Sequence, residues 1–142
     1  MAICYKVTLK RQSYPGGVRK LAYPKGKTVK SPTKLGVFLF KRKKDAKAYV
    51  DVSFNKRNCI TKDKGDFQIL KVRTTGRKRA LKACPSNQQN TQGFDTKKLF
   101  NISRSLNYAR IEMAGETQNV DDYGLWLCAP GTVVCPEIEV LT

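Results

Sequence analysis

The chain has 142 residues, 40% of them apolar, with 28 Lys or Arg against 11 Asp or Glu and no histidine, for a formal net charge of +17. This length supports one hydrophobic core, so a single domain over residues 1–142 is expected, and the Val, Ile, Leu, Phe and Tyr content excludes a disordered basic tail. The missing imidazole removes Ser-His and Cys-His nucleophile pairs and the commonest metal ligand.

The opening segment ICYKVTLK alternates, with Ile3, Tyr5, Val7 and Leu9 on one side and Cys4, Lys6, Thr8 and Lys10 on the other. This pattern predicts a half-buried strand whose polar side faces water. Tyr14-Pro15-Gly16-Gly17 supplies turn chemistry, and Val18 to Tyr23 is expected to return as a second strand ended by Pro24 and Lys25-Gly26. Beyond Ser31-Pro32, GVFLF at 36–40 is a short apolar run suited to a strand covered on both faces. It runs directly into KRKKDAKAYV, where Ala46, Tyr49 and Val50 share one face of a short helix.

Residues 55–66 read as a polar loop, and FQILKV at 67–72 as a strand. Residues 73–82 are basic and suit a hairpin arm or a loop against a partner, while 84–93 carry the weakest structural signal. Asp95 can cap a short helix through Leu99, Phe100 and Ile102. GLWLC at 124–128 and TVVC at 132–135, around Pro130-Gly131, are expected to pair as a hairpin, with EIEVL at 137–141 as a closing strand. The expected class is α+β, mostly antiparallel strands with one or two short helices.

Five cysteines at irregular spacings, Cys4, Cys59, Cys84, Cys128 and Cys135, do not form a secreted disulfide framework and offer no CxxC pair. They are expected to be core thiols in a reducing compartment, with no metal and no cofactor. Neither GxGxxG nor GxxxxGK[ST] occurs, and the adjacent acids Asp121-Asp122 would point to opposite sides of an extended chain, so no enzyme and no small-molecule substrate are expected. No apolar run approaches the ~18 residues of a membrane span, and residues 1–20 lack the apolar core of a signal peptide, so a soluble protein made without secretion is expected.

Charge is unevenly distributed. Residues 1–82 hold 24 Lys or Arg and 4 Asp or Glu, a net +20, whereas residues 83–142 hold 4 and 7, a net −3. The basic part contains three clusters, Lys41-Arg42-Lys43-Lys44, Lys56-Arg57 and Arg77-Lys78-Arg79. The first stands at the start of the predicted helix, where the macrodipole disfavours cations and Ser, Thr, Asp or Asn is the usual cap. A helix start with free amide donors and four cations suits phosphate or carboxylate groups. These nine residues are the candidate partner-binding set, facing acidic protein, nucleic acid or a membrane surface. Aromatic residues in the basic half fall mostly on core positions, which disfavours a base-stacking platform.

CYKV at 4–7, KLAYPKGKTVKSP at 20–32, GVFLF at 36–40 leading into KDAKAYV at 44–50, and APGTVVCPEIEVL at 129–141 resemble, in that order, a small uncharacterised domain of bacteriophages and large nucleocytoplasmic DNA viruses. The likeness spans the first 52 residues and the last 15 or so. It departs at Arg42 to Lys44, where that domain has a Ser or Asp cap with acidic neighbours. The resemblance implies no activity; it implies a particle component. The function expected is that of a non-enzymatic minor capsid or cement protein of a large icosahedral double-stranded DNA virus. Such a protein is made in the host cytoplasm, resides in the virion and binds capsid proteins with acidic surfaces. The alternative is a sequence-nonspecific nucleic-acid-binding protein.

Overall fold

The computed structural model describes residues 2–13, 21–31, 35–55, 61–85 and 125–142, together with 97, 100, 101 and 104. Among these, eight strands form one antiparallel sheet: β1 (Ile3–Leu9), β2 (Gln12–Ser13), β3 (Thr28–Lys30), β4 (Val37–Phe40), β5 (Phe67–Thr74), β6 (Arg79–Ala80), β9 (Thr132–Cys135) and β10 (Glu137–Val140). The strand order is β3-β10-β5-β1-β4-β9-β6, with β2 beside β1. β7 (Ala83–Pro85) and β8 (Leu125–Leu127) make a separate two-stranded ladder. One helix, α1 (Lys43–Phe54), and a 3-10 turn at Lys64–Asp66 complete the elements, so the class is α+β and mostly strand.

The sheet is rolled, and the chain itself requires it. β9 and β10 lie four strand steps apart in the order, yet only Pro136 separates them. A flat sheet would place them ~19 Å apart, whereas two peptide steps reach about 7 Å. Curling brings the end of β9 to the start of β10, and residues from six strands then meet in one interior. Cys4, Val29, Val37, Leu39, Leu70, Val72, Val133, Cys135, Ile138 and Val140 form that core with Tyr23. At the corner the Thr75 amide donates to the Glu137 carbonyl at 3.1 Å, and the Ser31 amide to that of Pro136 at 2.8 Å.

α1 covers the outer face. Ala46, Val50 and Ser53 are its buried positions, and Ala46 and Val50 pack with Val7, Phe40 and Phe67, joined by half-buried Tyr5, Leu9, Tyr49 and Ile69. The Phe40 and Tyr49 rings are 5.2 Å apart, tilted at 40°. The expected helix face, Ala46, Tyr49 and Val50, is therefore the packed one. GVFLF likewise behaves as a strand covered on both sides, with Val37, Leu39 and Phe40 buried.

Three local expectations change. β1 is not half-buried with a wet polar side: Cys4, Lys6 and Thr8 are buried, because rolling turns that side into the interior while α1 covers the other. The first turn occurs at Lys10-Arg11, at φ 52° and 59°, and returns at once into β2, paired Thr8↔Ser13 and Leu9↔Gln12. Residues 14–17 and the first half of the expected return strand, 18–20, lie outside the described residues; in its second half, 21–23, only Ala22 bridges Gln12. The turn around Pro130-Gly131 is present, with the Thr132 amide donating to Ala129 at 3.2 Å, but its flanking strands do not pair with each other. β9 is held by β4 on one edge and β6 on the other, so β8 pairs with β7 instead.

Residues 97, 100, 101 and 104 are helical, with Phe100 buried; Asp95, Leu99 and Ile102 lie outside the described residues. Cys4, Cys128 and Cys135 are buried and not in disulfides, as expected of core thiols. No helix among the described residues is long and apolar enough to cross a membrane.

Gly36, just before β4, lies close against the end of β9. Its φ is 114°, and a Cβ there would stand 3.0 Å from the Cys135 carbonyl oxygen. Gly36→Ala is expected to destabilise the fold by about 2–4 kcal/mol in urea denaturation, since it adds left-handed strain to a backbone overlap.

Candidate anion-binding surface

α1 starts without a side-chain cap. Arg42 occupies the cap position at φ −125° and ψ 143°, with no capping hydrogen bond from its side chain. Its carbonyl instead accepts from the Asp45 and Ala46 amides at 3.2 and 3.3 Å. Asp45 supplies the first-turn negative charge that the dipole favours. Its carboxylate is only 14% exposed and accepts from Arg42 Nε at 3.1 Å. A Cβ at position 131 would overlap that carboxylate, so Gly131, at φ 84°, is what lets the turn lie against the helix. The Lys41 amide donates to the Gly131 carbonyl at 3.0 Å and fixes the run to the same turn.

These contacts divide the first cluster. Arg42 is committed to Asp45. Lys41, Lys43 and Lys44 are exposed, have no carboxylate partner among the described residues, and stand beside the first-turn amides of α1. Lys47, one turn beyond Lys43, is exposed too and extends the patch along the helix.

The third cluster also divides. Arg79 lies over the Phe100 ring, 4.5 Å from its centroid, so it covers a buried aromatic as well as carrying charge. Arg77 is exposed and Lys78 half-buried. Burial pushes the Cys4 thiol up, and Lys78 and Lys41 oppose that rise. Lys56 and Arg57 lie outside the described residues.

Four carboxylates are used locally: Asp45 with Arg42, Asp51 with Lys64, Glu139 with Arg73 at 3.2 Å, and Glu137 with Lys30 at 3.8 Å. None of them answers Lys41, Lys43 or Lys44. Every described aromatic ring of known burial is buried or half-buried, which leaves this surface to act through charge rather than base stacking. Among the described residues no cluster of His, Cys, Asp or Glu could hold a metal ion.

Sequence reasoning missed the interior cation. Lys6 keeps 6% of its surface exposed, and its Nζ donates to the Phe38 carbonyl at 3.0 Å and lies 5.4 Å from the Tyr23 ring centroid. The only signal for it was Lys6's place in the alternation between Cys4 and Thr8, and that pattern reads equally as a solvent face. No protein family, no curated protein and no solved structure matches the chain.

Burial pushes the Lys6 ammonium down to about 8 from an ordinary 10.5. Between those values the unfolded chain binds more protons than the folded one, so stability is gained as pH rises through this window and the full desolvation cost is felt below it. Relative to Lys6→Met, the native protein is expected to gain about 2 kcal/mol between pH 8 and pH 10. Parallel denaturation series check this, because other groups titrating in the range cancel in the difference.

Proposed function

We propose that this chain is a non-enzymatic structural binding protein that docks an acidic protein neighbour through the surface formed by Lys41, Lys43 and Lys44. The observation that carries this reading is the unanswered charge at the start of α1. Three exposed lysines sit where the helix dipole already disfavours them, while Asp45, the first-turn acid, is taken by Arg42. Such a placement costs stability in the isolated protein and is offset when carboxylates arrive from outside, as charge-assisted hydrogen bonds at a helix start.

The resemblance of the opening and closing segments to a domain of phages and large DNA viruses supplies the setting. In it the neighbour is a capsid protein, and this chain is a minor capsid or cement protein. A surface of unpaired lysines suits that task, because it drives association with an acidic wall and opposes self-association before assembly. Purified particles are expected to contain the chain in stoichiometric amount; finding it only in the soluble fraction of infected cells would end the virion assignment.

Lys41, Lys43 and Lys44 changed together to Gln are expected to leave the fold intact and raise the melting temperature by about 1–3 °C. Binding to poly-glutamate is expected to weaken at least tenfold. Unchanged binding would leave the three lysines as an ordinary solvated face. Arg42→Gln, by contrast, breaks the pair with Asp45 and is expected to lower the melting temperature.

Duplex DNA, titrated at several salt concentrations, separates the nucleic-acid alternative from the protein one. Docking onto acidic protein predicts weak DNA affinity at physiological salt. Tight binding with a steep log-log salt slope, set by the number of phosphates neutralised, would identify the partner as nucleic acid.

A further inference from the structure

β3 ends the strand order, with β10 on one side and no strand on the other among the described residues. Hydrogen-bond parity fixes which of its backbone groups are spent. The Ser31 amide donates to the Pro136 carbonyl at 2.8 Å, and the Val140 amide to the Lys27 carbonyl at 2.9 Å. With Val29 paired to Ile138 between them, residues 27, 29 and 31 turn their backbone toward β10. Thr28 and Lys30 therefore direct their N–H and C=O groups away from it, with no hydrogen-bond partner among the described residues. Such a row is a template for another strand: the main chain supplies affinity, and side chains select which strand fits.

The occupied edge shows the selection. β3 takes β10 with Glu137 opposite Lys30, Ile138 opposite Val29 and Glu139 opposite Thr28. Val29 and Ile138 are both buried in the core, while Thr28 and Lys30 are exposed and Lys30 Nζ stands 3.8 Å from Glu137. Carboxylates thus meet the exposed side of β3, and an apolar residue meets its interior side. The outer edge presents the same alternation. Lys25 and Lys27 stand exposed just before it, and neither has a carboxylate among the described residues, since Glu137 is paired with Lys30 and Glu139 with Arg73. Lysines guard an edge against a second copy of the same chain, because like charges then face one another. The same charge favours a strand that carries acids.

We propose that the outer edge of β3 is a strand-addition site for an extended acidic segment of a partner protein, alternating carboxylate and apolar residues as β10 does. The Thr28 and Lys30 backbones hold the segment, and Lys25, Lys27 and Lys30 select its charge. The site is independent of the lysines at the start of α1.

Hydrogen exchange of the full chain, followed by NMR with the peptide acetyl-Glu-Ile-Glu-Val-Glu-amide at millimolar concentration, tests this. The Thr28 and Lys30 amides are expected to exchange freely in the protein alone and to slow by about tenfold or more with peptide. Two peptides methylated on alternate backbone nitrogens should differ, one pattern abolishing the protection and the other keeping it. Thr28→Pro removes an outward N–H and leaves the β10 ladder intact, so the Lys30 amide should lose its protection. The Lys41/Lys43/Lys44→Gln variant should keep it. No protection at either amide leaves the lysines as guards of a closed edge and overturns the proposal. Binding indifferent to both methylation patterns is attraction of charge alone, and protection without peptide in a dimer is pairing with a second copy; each overturns it too. Where Thr28→Pro does not fold, the methylated peptides decide on the native protein.

Discussion

The rest of the structure depends on the single-residue link between β9 and β10. Because Pro136 alone joins strands four steps apart, the sheet cannot lie flat, and hydrogen bonding at the corner from Thr75 and Ser31 holds the curl. Rolling converts one face of every central strand into an interior. It also brings Gly76 against Pro136, where a Cβ would stand 3.0 Å from the proline ring. α1 then needs to cover only the outer face over β1, β4 and β5, and a 12-residue helix is long enough for that.

The same closure explains the two kinds of cation. Those on β4's continuation into α1, with Arg77 and Arg79 around β6, remain exposed. Lys6 is swept inside by its parity on β1, where it meets one carbonyl and one aromatic ring among the described residues. Exposed ion pairs contribute little to stability, so the four described here matter chiefly for which cations they neutralise. Asp45 offsets the helix dipole and Arg42 together, and leaves its lysine neighbours without a carboxylate among the described residues.

Local pattern was enough where one element meets one environment. The Ala46, Tyr49 and Val50 spacing fixed the packed side of α1, and the apolar density of GVFLF announced a strand covered on both sides. Pro130-Gly131 announced a turn. Pairing was less legible. Proximity in sequence suggested that 124–128 and 132–135 pair with each other, but β9 has both edges occupied by β4 and β6, neither of which is its sequence neighbour. The turn at Lys10-Arg11 was hidden because its positive φ values fall on residues that rarely adopt them. Of the candidate surface, the charge and position of Lys41 to Lys44 were readable. That Arg42 belongs to Asp45, and Arg79 to Phe100, was not, since both contacts depend on where neighbouring elements come to rest.

The sequence by itself determined the class, the large positive excess in its first 82 residues, the helix with cations at its start and the core thiols Cys4, Cys128 and Cys135. Each of these follows from composition or from a period shorter than a single element. Tertiary structure alone decided which side of β1 is wet. An alternating strand has two sides of equal periodicity, and only the roll imposed at Pro136, more than a hundred residues away along the chain, turns Lys6 and Thr8 inward.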